Sequence, residues 1–352
     1  MLLAGVSSLR YFTPGVCLVS AAAFLGLGFA PAQGQSPRPW LDPALLAAAK
    51  AEGELTVYSS TNEQEGLPLF RIFEEATGIK FHYIRGNDAS LLSRVAIETR
   101  ANQPSFDIIH ISNAHKMPPR MLAQFDPSEG GQIFPQARDP NRRWYGVYTV
   151  YNTPAYNTQR VSAADVPKSF QEFARHKEWA GKVALEGTDL EWLKGILQHF
   201  GEEKGTALVR EIVANLNPVL TDGRLAMARA VGAGEYLFAL NNFVNLSLNV
   251  KLAGGPIEIF PLEPVALFFA QVAVNARAPH PNAARLAANF MLSQECQLFY
   301  TKFGRLPTRN DVPTNPSGIV DLVTQKPVVP TVFDPDEEKR LRQKFDALFR
   351  QR

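Results

Sequence analysis

An α/β protein of two lobes, joined by crossing strands around a cleft, is the fold class the sequence predicts. Three observations predict it. The chain has 352 residues, more than a single hydrophobic core usually organises. Short apolar runs alternate with helical periodicities along most of its length, which implies parallel strands with right-handed crossovers. Aromatic and apolar strands at 144–152, 257–262 and 265–274 interrupt that alternation where a chain would pass between lobes.

The first stretch is read apart from the fold. Arg10 precedes Gly15 to Ala30, sixteen residues without a charge, and Ala30-Pro31-Ala32 offers a small-residue cleavage site. Residues 1–32 are therefore read as a signal peptide, cleaved to leave a periplasmic chain beginning near Gln33. The run is shorter than the roughly 20 apolar residues of a membrane span. Val16 before Cys17 is not the small residue that lipidation requires. With 45% hydrophobic and 20% charged residues, the composition is neither that of a disordered chain nor that of a membrane bundle. Lys+Arg of 36 against Asp+Glu of 34, with no basic block, leaves no electrostatic footprint for nucleic acid. Once Cys17 is removed only Cys296 remains, so no intrachain disulfide forms. Cys296 sits among apolar residues at helical spacing in 283–303 and reads as a buried structural thiol.

The elements follow in order. Leu41 to Glu52 reads as a helix, Leu55 to Tyr58 as a strand, and Gly66 to Ala76 as a helix that Gly78 ends. Ser60 and Glu63 have the spacing of a capping box. Ile79 to Ile84 is a second strand, Asn87-Asp88 opens a helix to Thr99, and Phe106 to Ile111 is a third strand after which Ser112-Asn113 starts another helix. The strand Trp144 to Asn152 then crosses between lobes. A second unit runs through a helix at 170–175, a strand at 182–185, helices at 190–200 and 202–216, a strand at 218–220, a helix at 225–233 and a strand at 236–240. Asn241-Asn242 opens one more helix, strands return to the first lobe, and helices from Pro281 complete it. The expected partition is 33–152 with 265–352 as the first lobe and 153–264 as the second. Strands that end in Ser, Asn or Asp at helix starts give the sheet a polar edge, and ligands of open α/β sheets bind there.

Catalytic signatures are missing from the chain: no GxSxG, P-loop, GxGxxG after a strand, HExxH or CxxC occurs. His110 and His115 form a weak metal spacing and read as structural. Several segments carry a resemblance instead. They are VYSSTNEQEGLPLFRIFEEATGIKFHYIRGNDASLLSRVAIETRANQPSFDII, YNT at 156–158, LTDGRLAMARAVGAGEYLFALNN, GGPIEIFPLEP, RAPHPNAARLAANFMLSQECQ and FGRLPTR. Together they resemble bacterial extracellular solute-binding proteins of ABC importers, in the cluster of ferric-iron, polyamine, thiamine and phosphonate binders. The resemblance implies the type II periplasmic binding protein fold, with an interlobe cleft and a hinge of crossing strands. It also implies a monomer without catalytic role or cofactor, which carries a small polar solute to permease and ATPase subunits at the inner membrane.

The iron binders of that family continue Asn241-Asn242 with two metal-binding tyrosines, whereas this chain continues Phe243-Val244, and neither donates an oxygen to a hard cation. Iron is therefore an alternative ligand, and no metal site is expected; a sensor domain or a secreted hydrolase are alternative functions. The candidate ligand residues are Ser59, Ser60, Asn87, Ser112 and Asn113 in the first lobe and Glu186, Asp189, Trp192, Arg224, Asn241 and Asn242 in the second. Most have a second reading. The hydroxyls, amides and carboxylates equally serve as helix caps, Trp192 as core, and Arg224 as a solvated first-turn residue. If Glu186 or Asp189 faces the cleft, it repels a bare phosphate and favours an amine, whereas Arg224 suits a carboxylate.

Overall fold

The computed structural model describes residues 38–350 except Pro104 and Phe333; the expected leader at 1–32 lies outside the described residues. The first elements are α1 (Pro43–Glu52), β1 (Glu54–Ser59), α2 (Glu63–Thr77), β2 (Lys80–Arg85), α3 (Asp88–Arg100) and β3 (Ile108–Ile111). β1 lies between β2 and β3 and is parallel to both, with Val57 opposite Tyr83 and Ile108. α2 stops at Gly78, whose φ of 76° is left-handed and whose N–H reaches the Glu74 carbonyl. The predicted capping box is absent: Asn62 is the N-cap of α2, without a side-chain bond, because the Ser60 N–H is drawn to the His110 carbonyl and the chain stays extended. Ser112-Asn113 likewise opens only a three-residue turn at 114–116. Pro118 and Pro119 follow and cannot extend a helix.

β4 (Trp144–Asn157) begins the crossing. Then come α4 (Phe170–Phe173), β5 (Val183–Glu186), α5 (Leu190–Phe200), α6 (Glu202–Leu216), β6 (Val219–Thr221), α7 (Arg224–Gly232), β7 (Phe238–Phe243), α8 (Val244–Leu252), β8 (Ile257–Ile259) and β9 (Val265–Val274). Asn241 and Asn242 lie within β7, which Phe243 ends, rather than opening a helix. β5 is parallel to β6 and β7, but β9 is antiparallel to β3 and β4, and β4 is antiparallel to β7. The alternation thus predicts the parallel triplets and not what joins them. One continuous sheet results, in the order β2-β1-β3-β9-β4-β7-β5-β6. β4 shifts register twice, between Gly146 and Tyr148 against β9 and between Thr153 and Ala155 against β7.

The chain ends with α9 (Pro281–Met291), α10 (Gln294–Thr301), β10 (Leu306–Pro307), α11 (Ile319–Thr324), β11 (Val328–Pro330) and α12 (Pro335–Phe349). α9 and α10 pack on the first half, where Phe290, Met291 and Cys296 join Phe70, Phe73 and Leu69 in one apolar cluster. Later elements depart from the expected partition. Ile319 and Val323 of α11 cluster with Met227 and Val231 of α7, and Leu341, Phe345 and Phe349 of α12 cluster with Trp192, Ile196 and Phe238 of the second half. Each such side chain contributes about 1.5–3 kcal/mol of burial. An amphipathic helix goes where its apolar stripe is covered, and sequence order does not dictate which half covers it. No helix among the described residues is long and apolar enough to cross a membrane.

Candidate functional site

The two parallel triplets end at facing edges, and a cavity of about 620 Å³ lies between them. Two smaller cavities, of about 360 Å³ between α6 and α12 and about 220 Å³ beside α3, lie away from it. Only the large one gathers residues from both halves.

The first wall comes from the ends of β1, β2 and β3: Ser60, Asn62, Arg85, Asn87, Ser112 and Asn113 line it, with Asp88 behind. Asn87 caps α3 by accepting from the Ser90 N–H at 2.8 Å. The Asp88 carboxylate accepts from the Ser112 N–H and from Asn113 Nδ2, both at 3.0 Å, which ties the end of β3 to the start of α3. Burial raises the Asp88 pKa, opposed by hydrogen bonds from Ser60, Ser112 and Asn113. Ser59 points away from the cavity. It is fully buried, with Oγ 3.3 Å from His110 Nδ1 and accepting from the Thr61 N–H at 3.1 Å.

The floor is Tyr148 and Val150 of β4, Phe268 of β9 and Phe243 of β7. Arg305 lies over the Tyr148 ring at 4.4 Å and donates from Nε and Nη2 to the two oxygens of Glu65 at 2.9 and 3.1 Å. Both side chains of this pair are about 8% exposed, so the guanidinium is fixed in place before any solute arrives.

The second wall is acidic. At the end of β5, Glu186 accepts from Thr188 Oγ1 at 2.8 Å and from the Gly223 N–H, at the start of α7, at 2.9 Å. Asp189 is completely buried. It caps α5 through the Trp192 N–H at 2.9 Å, accepts from Asn152 Nδ2 at 2.5 Å and pairs with Arg224 Nη1 at 2.9 Å. Arg224 lines the cavity with its guanidinium 3.9 Å above the Phe243 ring. Glu191 and Asp222 line it too. Burial pushes the Glu191 carboxyl up to about 7, with Asp189 adding to the effect and Arg224 opposing it.

Besides Asp189, which is buried behind the wall, three expected residues stay off it. Trp192 is 2% exposed, within ring-contact distance of Phe170 and Phe349, so its apolar stripe wins over a wall position. Asn241 lies under the wall, its side chain accepting from the Glu186 N–H at 2.8 Å and donating to the Glu186 carbonyl at 3.3 Å. That amide extends the ladder between β5 and β7 by one step. Asn242 is buried and donates to Ser247 Oγ at 3.0 Å, inside the turn into α8.

A third side comes from α12, which brings Glu338 and Arg342 to the cavity. Lys116, after β3, pairs with Glu338 at 2.6 Å, and Arg342 holds the other Glu338 oxygen at 3.1 Å. Sequence reasoning misses Arg85, Lys116, Tyr148, Arg305, Glu338 and Arg342 as candidates. Arg85 had a usable signal, the first polar position after the second strand; the others arrive from distant segments. No group of three or more His, Cys, Asp or Glu among the described residues is arranged to hold a metal ion.

Residues 117–328 match the family described as bacterial extracellular solute-binding protein. The chain belongs to that family. Among curated proteins, the solute-binding relative "Fe(3+)-binding periplasmic protein" of Serratia marcescens is 27% identical over 195 residues, 53% of this chain. The match spans 56% of that relative, little more than half its length. Among solved structures, iron-bound HitA from Pseudomonas aeruginosa superposes with a TM-score of 0.70 at 21% identity, covering 84% of this chain and 99% of that one. The substrate-binding protein of an ABC transporter from Agrobacterium tumefaciens gives 0.72 at 16%, covering 84% and 94%. AfuA from Actinobacillus pleuropneumoniae, with fructose-6-phosphate bound, gives 0.70 at 20%, covering 85% and 99%. These structures establish the type II periplasmic binding protein fold for this member of the family.

Proposed function

We propose that this protein is the periplasmic substrate-binding component of an ABC importer. In this reading two lobes close by a hinge on a small polar solute, and the monomeric, leader-cleaved chain hands it to a permease without chemical change. The observation that carries it is the 620 Å³ cavity floored by the two crossing strands and walled by strand ends of both halves, in a chain of a solute-binding family. Walls that belong to different halves meet one solute together only when the halves approach, so binding energy favours closure. The hydrolase alternative gains no support from Ser59 and His110. Both are buried, and burial together with Arg305 drives the imidazole pKa down to about 3, leaving a pair that no substrate reaches.

Small-angle scattering of the purified protein, before and after addition of the solute released from it on denaturation, tests this reading. A smaller radius with solute is expected; an unchanged radius would sink hinge capture. Two of the proteins compared above carry iron in their names, but Phe243 takes up part of this floor and, among the described residues, Tyr148 is the single tyrosine lining the cavity. Ferric citrate is therefore expected to give no visible charge-transfer colour and almost no change in melting temperature, whereas a true solute at 100 times its Kd adds about 2.7 kcal/mol.

A further inference from the structure

The charges of the cavity are mostly paired with one another, and what remains after that pairing has a direction. Glu338 is held by Lys116 and Arg342, Arg224 by Asp189, and Arg305 by Glu65 through two of its three nitrogens. On the first wall Arg85 is exposed and has no hydrogen-bond or ion-pair partner among the described residues, and Nη1 of Arg305 on the adjoining floor is likewise left over. On the second wall the exposed Asp222 carboxylate has no hydrogen-bond or ion-pair partner among the described residues, and no side chain pairs with the Glu191 carboxyl beside it.

The second wall also lacks the usual attraction of helix starts for anions. α5 and α7 both begin there, but Asp189 and Glu186 already supply a carboxylate to each. Three carboxyl groups, Glu186, Glu191 and Asp222, line it, while the one guanidinium there, Arg224, is already matched by Asp189 buried behind it. An inorganic anion would satisfy Arg85 and meet net repulsion opposite; a simple amine would satisfy Glu191 and Asp222 and leave Arg85 unmatched.

We infer that the solute is a zwitterion, its cationic group held by Asp222 and Glu191 on the second wall and its anionic group by Arg85 and the free edge of Arg305. This deepens the capture function proposed above and rests on it. The cavity, of about 620 Å³, has room for a solute of amino-acid or betaine type together with water. Phe243 and Phe268 give the floor an apolar strip for the carbon skeleton between the two charged ends. Charged ends that each meet one wall also explain why neither wall is electrostatically self-sufficient.

The test begins with mass spectrometry of small molecules released from the full-length mature protein. Calorimetric titration then uses the L-amino acids and glycine betaine, matched amines lacking the carboxylate, inorganic phosphate and ferric citrate. A zwitterion should be released or bind, with the matched amine and phosphate weaker by tenfold or more. Arg85→Gln and Asp222→Asn, both at exposed positions, should each weaken the zwitterion about tenfold. In Arg85→Gln, removing the carboxylate from the ligand should cost almost nothing further, which a merely structural arginine would not produce. A released or tight-binding phosphate, sugar, plain amine or metal overturns the zwitterion and leaves solute capture standing. No released solute and no response to any probe overturns both readings.

Discussion

The two walls of the cavity are built alike and finished differently. In each half a parallel triplet ends at the same edge and hands over to helices, yet on the first wall the helix starts carry mainly Ser, Asn and one half-buried aspartate, while on the second they carry Glu186, Asp189 and Glu191. The first wall commits Asn87 and Asp88 to the N–H groups of Ser90 and Ser112 and leaves Arg85 exposed beside them. The second spends its carboxylates on its own backbone: Asp189 and Glu186 bind N–H groups at two helix starts while also facing, or backing, the cavity. The difference teaches that one residue type at one topological position stabilises a helix and sets a surface charge together, so neither role is legible without the partner list.

The largest effect is expected where floor and first half share one ion pair. Glu65→Ala leaves the Arg305 guanidinium buried without its carboxylate and should destabilise the fold by about 3–5 kcal/mol in chemical denaturation. A loss below about 1 kcal/mol would mean that the pair is solvated in solution. Nearly as large is the cost expected for Phe345→Ala, about 3–5 kcal/mol, if α12 belongs to the second core. Hydrogen exchange should then show lost protection in α5 and α6 and none in α1 or α9; the reverse pattern would return the C-terminal helix to the first half.

The acidity of the second wall is tested by pH. Below its ordinary value of 4.5 Glu191 is neutral in both folded and unfolded chains, and above about 7 it is ionised in both. Between these values the unfolded chain is ionised and the folded one is not, so Glu191 should erode stability as pH rises through that window. Glu191→Gln should flatten this part of the stability profile; an unchanged slope would locate the carboxyl in water. The smallest effect is expected between walls. Lys116 and Glu338 are partly exposed, so a double-mutant cycle should return a coupling of about 0.2–1 kcal/mol. A coupling above 2 kcal/mol would mean that the pair is shielded and clasps the cavity on its own.

Much of the fold is legible in the sequence because apolar periodicity reports burial directly. The strand at 183–186 and the helices at 190–200 and 202–216 fall within a residue of expectation, since their apolar stripes are long and bounded by Gly201 and Asn217. Handover points are less legible. Ser60 has the right neighbour for a capping box, but the bond its N–H donates to the His110 carbonyl, fifty residues away, decides the matter. The site shows the same division. Ser60, Asn87, Ser112, Asn113, Glu186 and Arg224 reach the cavity because strand ends place them there. Arg305 and Glu338 reach it because tertiary packing brings their segments in, and no local pattern announces that.

The register shifts in β4 have a mechanical consequence. Pro154 has no N–H to give, and it sits at the interruption between Thr153 and Ala155; the second interruption, at Gly146 to Tyr148, lies toward the other end of the strand. Between them runs the regular stretch of β4 paired with β9 from Tyr148 to Asn152. A ribbon of this kind resists stretching and shear through its ladder but yields in twist where the ladder is broken. If one half rotates against the other, the twist is expected to concentrate at these two short points and to leave the regular stretch between them intact.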